Sequence, residues 1–94
     1  MKNNIVNGFV GLPGSSDTGI SATGVVTGNF VVGGRPHGFE IGEGSTVIGN
    51  TVTNAEIGFS VSCPSNLVDN TAVINATNLE LNGNGCNNTN NVAP

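Results

Sequence analysis

The sequence is poor in positive charge, in aromatic side chains and in long apolar runs. Lys2 and Arg35 are the only basic residues among 94, against six acidic ones, and the formal net charge is -4. Nucleic acids and anionic membrane surfaces bind clustered lysine and arginine, so we expect neither partner. No stretch approaches the roughly 20 apolar residues that span a bilayer, and no signal-peptide core is visible. These absences predict no membrane insertion.

The sequence also lacks the residue types that favour helices. Only 9% of the residues are charged, tryptophan and tyrosine are absent, and 15 residues are glycine. Coiled coils and helical bundles need alanine, leucine, glutamate and lysine instead. Twelve valines are spread along the chain, whereas disordered segments are depleted in β-branched residues. The composition therefore favours a small folded domain made of β-strands.

What the sequence does contain is an internal repeat. The copies start 19, 20 and 20 residues apart, at Gly19, Gly38, Gly58 and Asn78. Each copy opens with alternating apolar and polar residues, passes a turn to a second apolar run that ends in asparagine, and closes with a third short β-type run. No segment has the 3.6-residue spacing of a helix. Three strand-like runs per copy predict a β-solenoid in which one copy is one coil.

We therefore expect an all-β fold, a parallel β-helix (β-solenoid) of about four to five short coils with no large helix. It forms one domain over residues 1–94, with coils near 4–18, 19–37, 38–57, 58–78 and 79–94. In the first run, the residues predicted to fill the interior are Ile20, Phe39, Phe59 and Leu79, with Ala22, Ile41, Val61 and Leu81. Those predicted to face water are Ser21, Glu40, Ser60 and Glu80.

Asparagine ends the second run of each copy. The aligned residues are Asn29, Asn50, Asn70 and Asn91. Asparagine tolerates the left-handed backbone of a tight bend, and its amide can donate to and accept from the same amide one coil away. The alignment predicts an asparagine ladder along the rod, with a structural role rather than a ligand-binding one.

The chain has two cysteines, Cys63 and Cys86, which lie 23 positions apart. Neither has a histidine or a second cysteine at metal-binding spacing beside it. The repeat places both in the turn after the first run, in neighbouring coils, where Cα atoms come within reach of a disulfide. A structural disulfide is favoured over a metal site, and two unrelated thiols are the alternative.

The segments Gly-Phe-Glu-Ile at 38–41, Ser-Thr-Val-Ile-Gly-Asn-Thr-Val-Thr-Asn at 45–54 and Gly-Phe-Ser-Val at 58–61 resemble a known repeat. It is the right-handed parallel β-helix repeat of the pectate-lyase-like superfamily, and the resemblance covers roughly residues 4 to 92. It implies right-handed winding and an extracellular, cell-surface or periplasmic location. The superfamily includes polysaccharide lyases and hydrolases, phage depolymerases and adhesins, so the fold alone assigns no activity.

Few side chains remain for chemistry. Glu40 and Glu80 share an outward column two coils apart, hence roughly 9.6 Å between their backbones. Inverting glycoside hydrolases hold two carboxyl groups about 6.5 to 9.5 Å apart, so this pair is the candidate for catalysis. The family's enzymes have larger clusters of acidic or basic residues, which favours no enzymatic activity here. Arg35 and His37 precede the same strand, and with the two glutamates they predict a glycan-binding face.

No ligand set for a metal ion or cofactor is visible, and His37, as the only histidine, has neither cysteine beside it in the coil alignment. A short solenoid exposes unpaired backbone at both ends. We therefore predict a non-enzymatic structural or adhesive module that self-associates, or joins a larger parent chain, through its ends, with a polysaccharide as a further partner. The alternative is a fragment of a polysaccharide lyase, a hydrolase or a phage depolymerase.

Overall fold

The computed structural model describes the backbone of residues 5–9 and all atoms of residues 18–34 and 36–93. These residues form twelve short strands and no helix. The strands are β1 (Ile5–Phe9), β2 (Ile20–Ala22), β3 (Val25–Thr27), β4 (Phe30–Gly33), β5 (His37–Ile41), β6 (Thr46–Ile48), β7 (Thr51–Thr53), β8 (Ile57–Ser62), β9 (Asn66–Val68), β10 (Thr71–Val73), β11 (Thr77–Asn82) and β12 (Asn87–Thr89). The predicted all-β fold class is confirmed.

The strands form three parallel sheets. The first sheet has the order β11-β8-β5-β2, the second β12-β9-β6-β3 and the third β1-β4-β7-β10. Each coil gives one strand to each sheet, and the chain winds as a β-solenoid of about three turns. Four to five coils was slightly too many, because β1 before the first full turn and β11 with β12 after the last one were counted as coils of their own. Most of the expected first coil, 4–18, lies outside the described residues.

The strand register reproduces the alignment of the sequence repeat. The first sheet pairs Ile20, Phe39, Phe59 and Leu79 in one row. The rows of the other two sheets are Val26, Val47 and Leu67, and Val31, Val52 and Ala72. Apart from Leu79, these residues are at most 3% exposed. The Phe39 and Phe59 rings stack with centroids 4.6 Å apart. Each such large apolar side chain stabilises the fold by about 1.5–3 kcal/mol through burial.

Glycine opens each of the first three copies because the backbone there touches the third sheet. A Cβ on Gly19 would lie 2.7 Å from Val31 Cγ1, and one on Gly58 would lie 3.0 Å from Val52 Cγ1, in addition to 2.6 Å from the carbonyl oxygen of Asn78 in the first sheet. A Cβ on Gly38 would overlap the Val52 side chain. The glycine column therefore reflects close packing of the first strand onto the neighbouring interior valines, rather than a need for unusual dihedral angles.

The left-handed residue of the second bend precedes the ladder asparagine. Gly28, Gly49, Asp69 and Asn90 have φ angles of 65°, 67°, 55° and 54°. The expectation that the aligned asparagines themselves adopt this conformation is wrong. The preceding glycine, aspartate or asparagine makes the turn, which leaves the next residue free to project its amide along the solenoid axis.

The terminal coil departs from the regular pattern. Leu81 was expected in the interior but is 39% exposed, since it lies on β11, the last strand of its sheet. Asn88 pairs with Leu67 and so occupies a row that is apolar in the three preceding coils. Ser60, expected to face water, is only 7% exposed because Glu80 and Asn82 of β11 contact its hydroxyl. The C-terminal end of the interior is therefore partly polar.

Candidate functional site

The outward face of the first sheet carries an open groove of about 250 Å³. Its lining consists of small hydroxyl side chains, one imidazole, one carboxylate and parts of the strand and turn: Ser21, Ala22, Thr23, His37, Glu40, Ile41, Gly42, Ser60 and Ser62. Parallel pairing places Ser21, Glu40 and Ser60 in one row. The groove therefore follows from the outward half of the repeat pattern, which collects polar residues at 4.7–4.9 Å spacing, about that of strands in any sheet.

His37 and Glu40 meet on this face although both belong to β5. The His37 Nδ1 and Glu40 Oε2 atoms are 3.3 Å apart. Residues three apart on a regular strand point to opposite faces. In β5, however, Gly38 and Phe39 are both buried, so the alternation slips by one residue and His37 returns to the outward side. The side chain of Glu40 is 55% exposed and that of His37 is 19% exposed, which leaves the carboxylate accessible to a ligand.

Glu80 lies in the same outward row but outside the groove. Its partners in register are Ser60 and then Glu40, so the two glutamates are two strands apart. The Ser60 hydroxyl donates to Glu80 Oε1 at 3.5 Å, and Asn82 Nδ2 donates to Ser60 Oγ at 3.3 Å. Glu80 is therefore bound to β8 through Ser60, and Ser60 lies between the two carboxylates of the candidate catalytic pair.

The four residues predicted for glycan binding thus divide into three groups. His37 and Glu40 line one groove, Glu80 lies along the same face beyond it, and Arg35 lies outside the described residues. The hydroxyl groups of Ser21, Thr23, Ser60 and Ser62 were not singled out from the sequence. The outward alternation in the first run was the available signal, because it already placed Ser21 and Ser60 beside Glu40.

The aligned asparagines form a continuous hydrogen-bonded column at the second bend. The backbone N–H and the Nδ2 of Asn29 both donate to Asn50 Oδ1 at 2.9 Å. The same two bonds join Asn50 to Asn70 at 3.0 and 3.1 Å, and Asn70 to Asn91 at 2.9 and 2.8 Å. Each of Asn50, Asn70 and Asn91 also donates 2.8 Å to a main-chain carbonyl. The amides are consumed inside the fold and are not offered to a ligand.

Polar columns at the other two bends were not predicted. At the first bend, Gly24 N–H donates to Ser45 Oγ at 3.0 Å, and Ser45 N–H donates to Ser65 Oγ at 3.1 Å. At the third, Ala55 N–H donates to Asn75 Oδ1 at 2.8 Å. Among the described residues, no buried side-chain nitrogen or oxygen lacks a hydrogen-bond partner. These columns satisfy the backbone where strands end, so they are structural as well.

The predicted disulfide is present between Cys63 and Cys86, with Cα atoms 5.0 Å apart. It connects the turn after β8 to the segment just before β12, in the next coil. The bond ties the terminal coil to the body of the solenoid.

Within residues 18–34 and 36–93, no group of three or more histidine, cysteine, aspartate or glutamate side chains could hold a metal ion. The same residues contain no helix long and apolar enough to cross a membrane.

Comparisons of the chain with protein-family models, with curated proteins and with solved structures find no match. The parallel β-solenoid itself is established by the sheet topology and the register. The resemblance to the pectate-lyase-like superfamily rests on the repeat residues alone.

Proposed function

We propose that this chain is a non-enzymatic structural or adhesive module of an extracellular or cell-surface assembly, and that the groove on its first sheet binds carbohydrate. The observation that carries the proposal is the convergence of His37 and Glu40 with the exposed hydroxyl groups of Ser21, Thr23 and Ser62 around one open groove. The disulfide supports an oxidising location, because such bonds persist mainly in secreted and cell-surface proteins.

A polyhydroxylated ligand fits this lining better than an apolar one. Serine and threonine hydroxyls both donate and accept hydrogen bonds, and a carboxylate accepts two or more from sugar hydroxyl groups. The small side chains leave room for a ring to lie along the row of β2, β5 and β8. Because parallel coils repeat at about 4.8 Å, the face presents matching groups along a line, which suits an extended chain of sugar units.

Binding without hydrolysis is favoured by the separation of the two glutamates. A glycosidase needs both carboxyl groups on one scissile bond. Here only Glu40 lines the groove, whereas Glu80 accepts a hydrogen bond from Ser60 on the neighbouring strand. We also propose that the chain belongs to the pectate-lyase-like superfamily and winds in a right-handed sense. The repeat segments 38–41, 45–54 and 58–61 support this.

A polysaccharide panel measured by calorimetry or an immobilised glycan array tests this function. We expect at least one polysaccharide to bind, and we expect Glu40→Gln and His37→Ala each to weaken that binding about tenfold, corresponding to about 1.4 kcal/mol. Glu43→Gln is the matched control, since Glu43 lies exposed in the turn beyond the groove and should leave the affinity unchanged. Equal effects of the Glu40 and Glu43 substitutions would place the ligand elsewhere.

Reducing-sugar release from the same panel separates binding from catalysis. Release by the wild-type chain that disappears in both Glu40→Gln and Glu80→Gln would establish the alternative, a piece of a polysaccharide-degrading enzyme. If no polysaccharide binds and none releases reducing sugar, carbohydrate recognition is refuted.

Self-association through the C-terminal end is a second candidate, favoured by the character of β11. This six-residue strand is the last of the first sheet and contains no lysine or proline, the residues that commonly protect exposed edges. Leu81 on it is 39% exposed, and Val92 near the end of the third sheet is 53% exposed. A second copy that pairs with this edge would cover both side chains.

Light scattering across a concentration series should show a mass increase that Leu81→Lys abolishes. A constant monomer mass would refute the contact.

A further inference from the structure

The terminal coil contains two asparagine–glycine pairs with the same local chemistry. They are Asn82–Gly83 and Asn84–Gly85. In such a pair the glycine has no Cβ, so its backbone nitrogen can approach the amide carbon of the preceding side chain with little steric hindrance. The sequence alone does not distinguish the two pairs. The structure places them in very different settings, and this difference assigns different reactivity to their amides.

Asn82 is restrained by pairing and by hydrogen bonds. It is the last residue of β11 and pairs with Ser62 of β8. Its carbonyl oxygen accepts from the Cys63 N–H at 2.8 Å, and its Nδ2 donates to Ser60 Oγ at 3.3 Å. To bring its side-chain carbon to the nitrogen of Gly83, the side chain must leave Ser60 while the backbone stays extended. The folded state therefore disfavours that approach.

Asn84 has none of these restraints. It lies in the exposed bend between β11 and β12, outside any strand. No hydrogen bond joins its side chain to another described residue, and the N–H of Gly85 donates to none. The glycines on both sides have φ angles of 97° and 90°, values that only glycine adopts readily. The Asn84 amide and the Gly85 nitrogen are thus exposed, unpaired and adjacent.

The ladder asparagines are protected from this reaction by burial and by hydrogen bonds. Asn29, Asn50 and Asn70 are at most 2% exposed, and each donates its Nδ2 to the next amide of the column. Residues with side chains follow them in the sequence, so the attacking nitrogen would be hindered. Both asparagine–glycine pairs among residues 18–34 and 36–93 are exposed, but only Asn84 lies outside a strand with its side chain free of hydrogen bonds.

We propose that Asn84 is a site of spontaneous deamidation, with water as the only co-reactant. The Gly85 nitrogen attacks Cγ of Asn84, a carbon–nitrogen bond forms, the bond from Cγ to Nδ2 breaks, and Nδ2 leaves as ammonia with the proton from Gly85. Water then opens the resulting five-membered imide at one of its two carbonyl carbons. The products are aspartate or isoaspartate at position 84.

The modification changes the end of the solenoid. Either product adds one negative charge to a chain whose net charge is -4. Isoaspartate also inserts an extra carbon into the main chain between β11 and Cys86, inside the loop that the disulfide closes. We expect the terminal coil to become more mobile as this product accumulates, because the spacing between β11 and β12 no longer matches that of the preceding coil.

Peptide mapping by mass spectrometry of the intact, disulfide-bonded chain tests the proposal. During incubation in mildly alkaline buffer, Asn84 should deamidate at least about tenfold faster than Asn82, a difference of about 1.4 kcal/mol in activation free energy. After reduction and denaturation of the same protein, the two rates should become similar. Asn84→Gln should remove the fast phase, whereas Asn82→Gln should leave it in place.

Three results would overturn the assignment. Equal rates at the two positions in the folded chain, or faster reaction at Asn82, would show that the fold does not select Asn84. The same difference in rate between Asn84 and Asn82 in the denatured chain would attribute the selectivity to local sequence instead of structure. No reaction at Asn84 in the folded chain, while the denatured chain reacts, would show that the bend protects it.

Discussion

At the scale of single residues, the polar columns are as important to this fold as the apolar rows. Asn50 is completely buried, yet its amide and main chain make hydrogen bonds to both neighbouring coils. An unsatisfied buried donor or acceptor costs about 1–3 kcal/mol, so each amide stabilises the bend mainly by preventing such losses. The column also fixes the register, because a shifted coil would leave its amides without partners.

Substitution of Asn50 tests this account directly. Asn50→Ala removes the acceptor of the Asn29 amide and the donor to the Val26 carbonyl, and we expect a loss of about 3 kcal/mol in the free energy of unfolding. Asn66→Ala is the control, because Asn66 is an exposed residue of β9, and it should change stability by less than about 0.5 kcal/mol. Denaturant unfolding measures both. Similar small effects of the two substitutions would show that the column contributes little.

The glycine column gives a second prediction at this scale. Gly38→Ala places a methyl group against the Val52 side chain and should destabilise the fold by about 1–3 kcal/mol through overpacking. Val52→Ala opens space at the same point, so the double variant should be less destabilised than the sum of the single ones, by about 1 kcal/mol. Strict additivity in a double-mutant cycle would contradict the proposed contact.

At the scale of the structural elements, the strands are too short to be stable alone. Most of them have three residues, and their pairing across coils holds them in place. Stability therefore resides in contacts between neighbouring coils, as in other repeat proteins. The last strands, β11 and β12, have a neighbouring coil on one side only, and the disulfide between Cys63 and Cys86 compensates for the contacts that they lack.

Loss of the disulfide should therefore act mainly on the terminal coil. Closing a loop of 23 residues stabilises a chain by roughly 3 kcal/mol on the entropic estimate. In a chain with Cys63→Ala and Cys86→Ala, hydrogen exchange should accelerate in β11 and β12 well before it does in β5 and β6. Reductant should have the same effect on the wild type and none on the double variant. Uniform acceleration along the chain would refute a local role.

At the scale of the whole molecule, the C-terminal end is the surface through which the proposed contact with a second copy would form. The row of Val26, Val47 and Leu67 ends in Asn88, which pairs with Leu67. A polar residue at the end of an apolar row keeps that end hydrated and opposes the stacking of further copies onto it. Terminal repeats of solenoids commonly have such polar outer faces. The proposed association through β11 would therefore be weak.

Replacement of the polar side chain at the end of this row should strengthen association between copies. Asn88→Leu continues the apolar row to the end of the solenoid and should increase the mass measured by light scattering at a given concentration. Asn66→Leu adds an equal apolar side chain on the exposed side of the neighbouring coil and serves as the control. If both variants associate equally, general hydrophobicity is responsible and the end is not a specific contact.

The sequence predicted the fold and the rows of side chains well, and the candidate site only in part. The same residue types recur about every 20 residues, so Phe39 aligns with Phe59 and Asn50 with Asn70 in the sequence. Because parallel coils stack in register, residues that align in the sequence also touch in the fold. The left-handed residue was placed one position too late, because glycine and asparagine both suit that conformation and periodicity alone does not separate them.

By itself, the amino-acid sequence determined the period, the three strands per coil, the interior rows and the pairing of the two cysteines, since each depends on spacing along one coil or between adjacent coils. Only the tertiary structure decided that His37 reaches Glu40, that Glu80 lies beyond the groove, and that Asn84 is free while Asn82 is held. Those outcomes depend on a slip in the alternation of β5 and on where the last strands find partners. Both are properties of packed coils, and no repeat pattern specifies them.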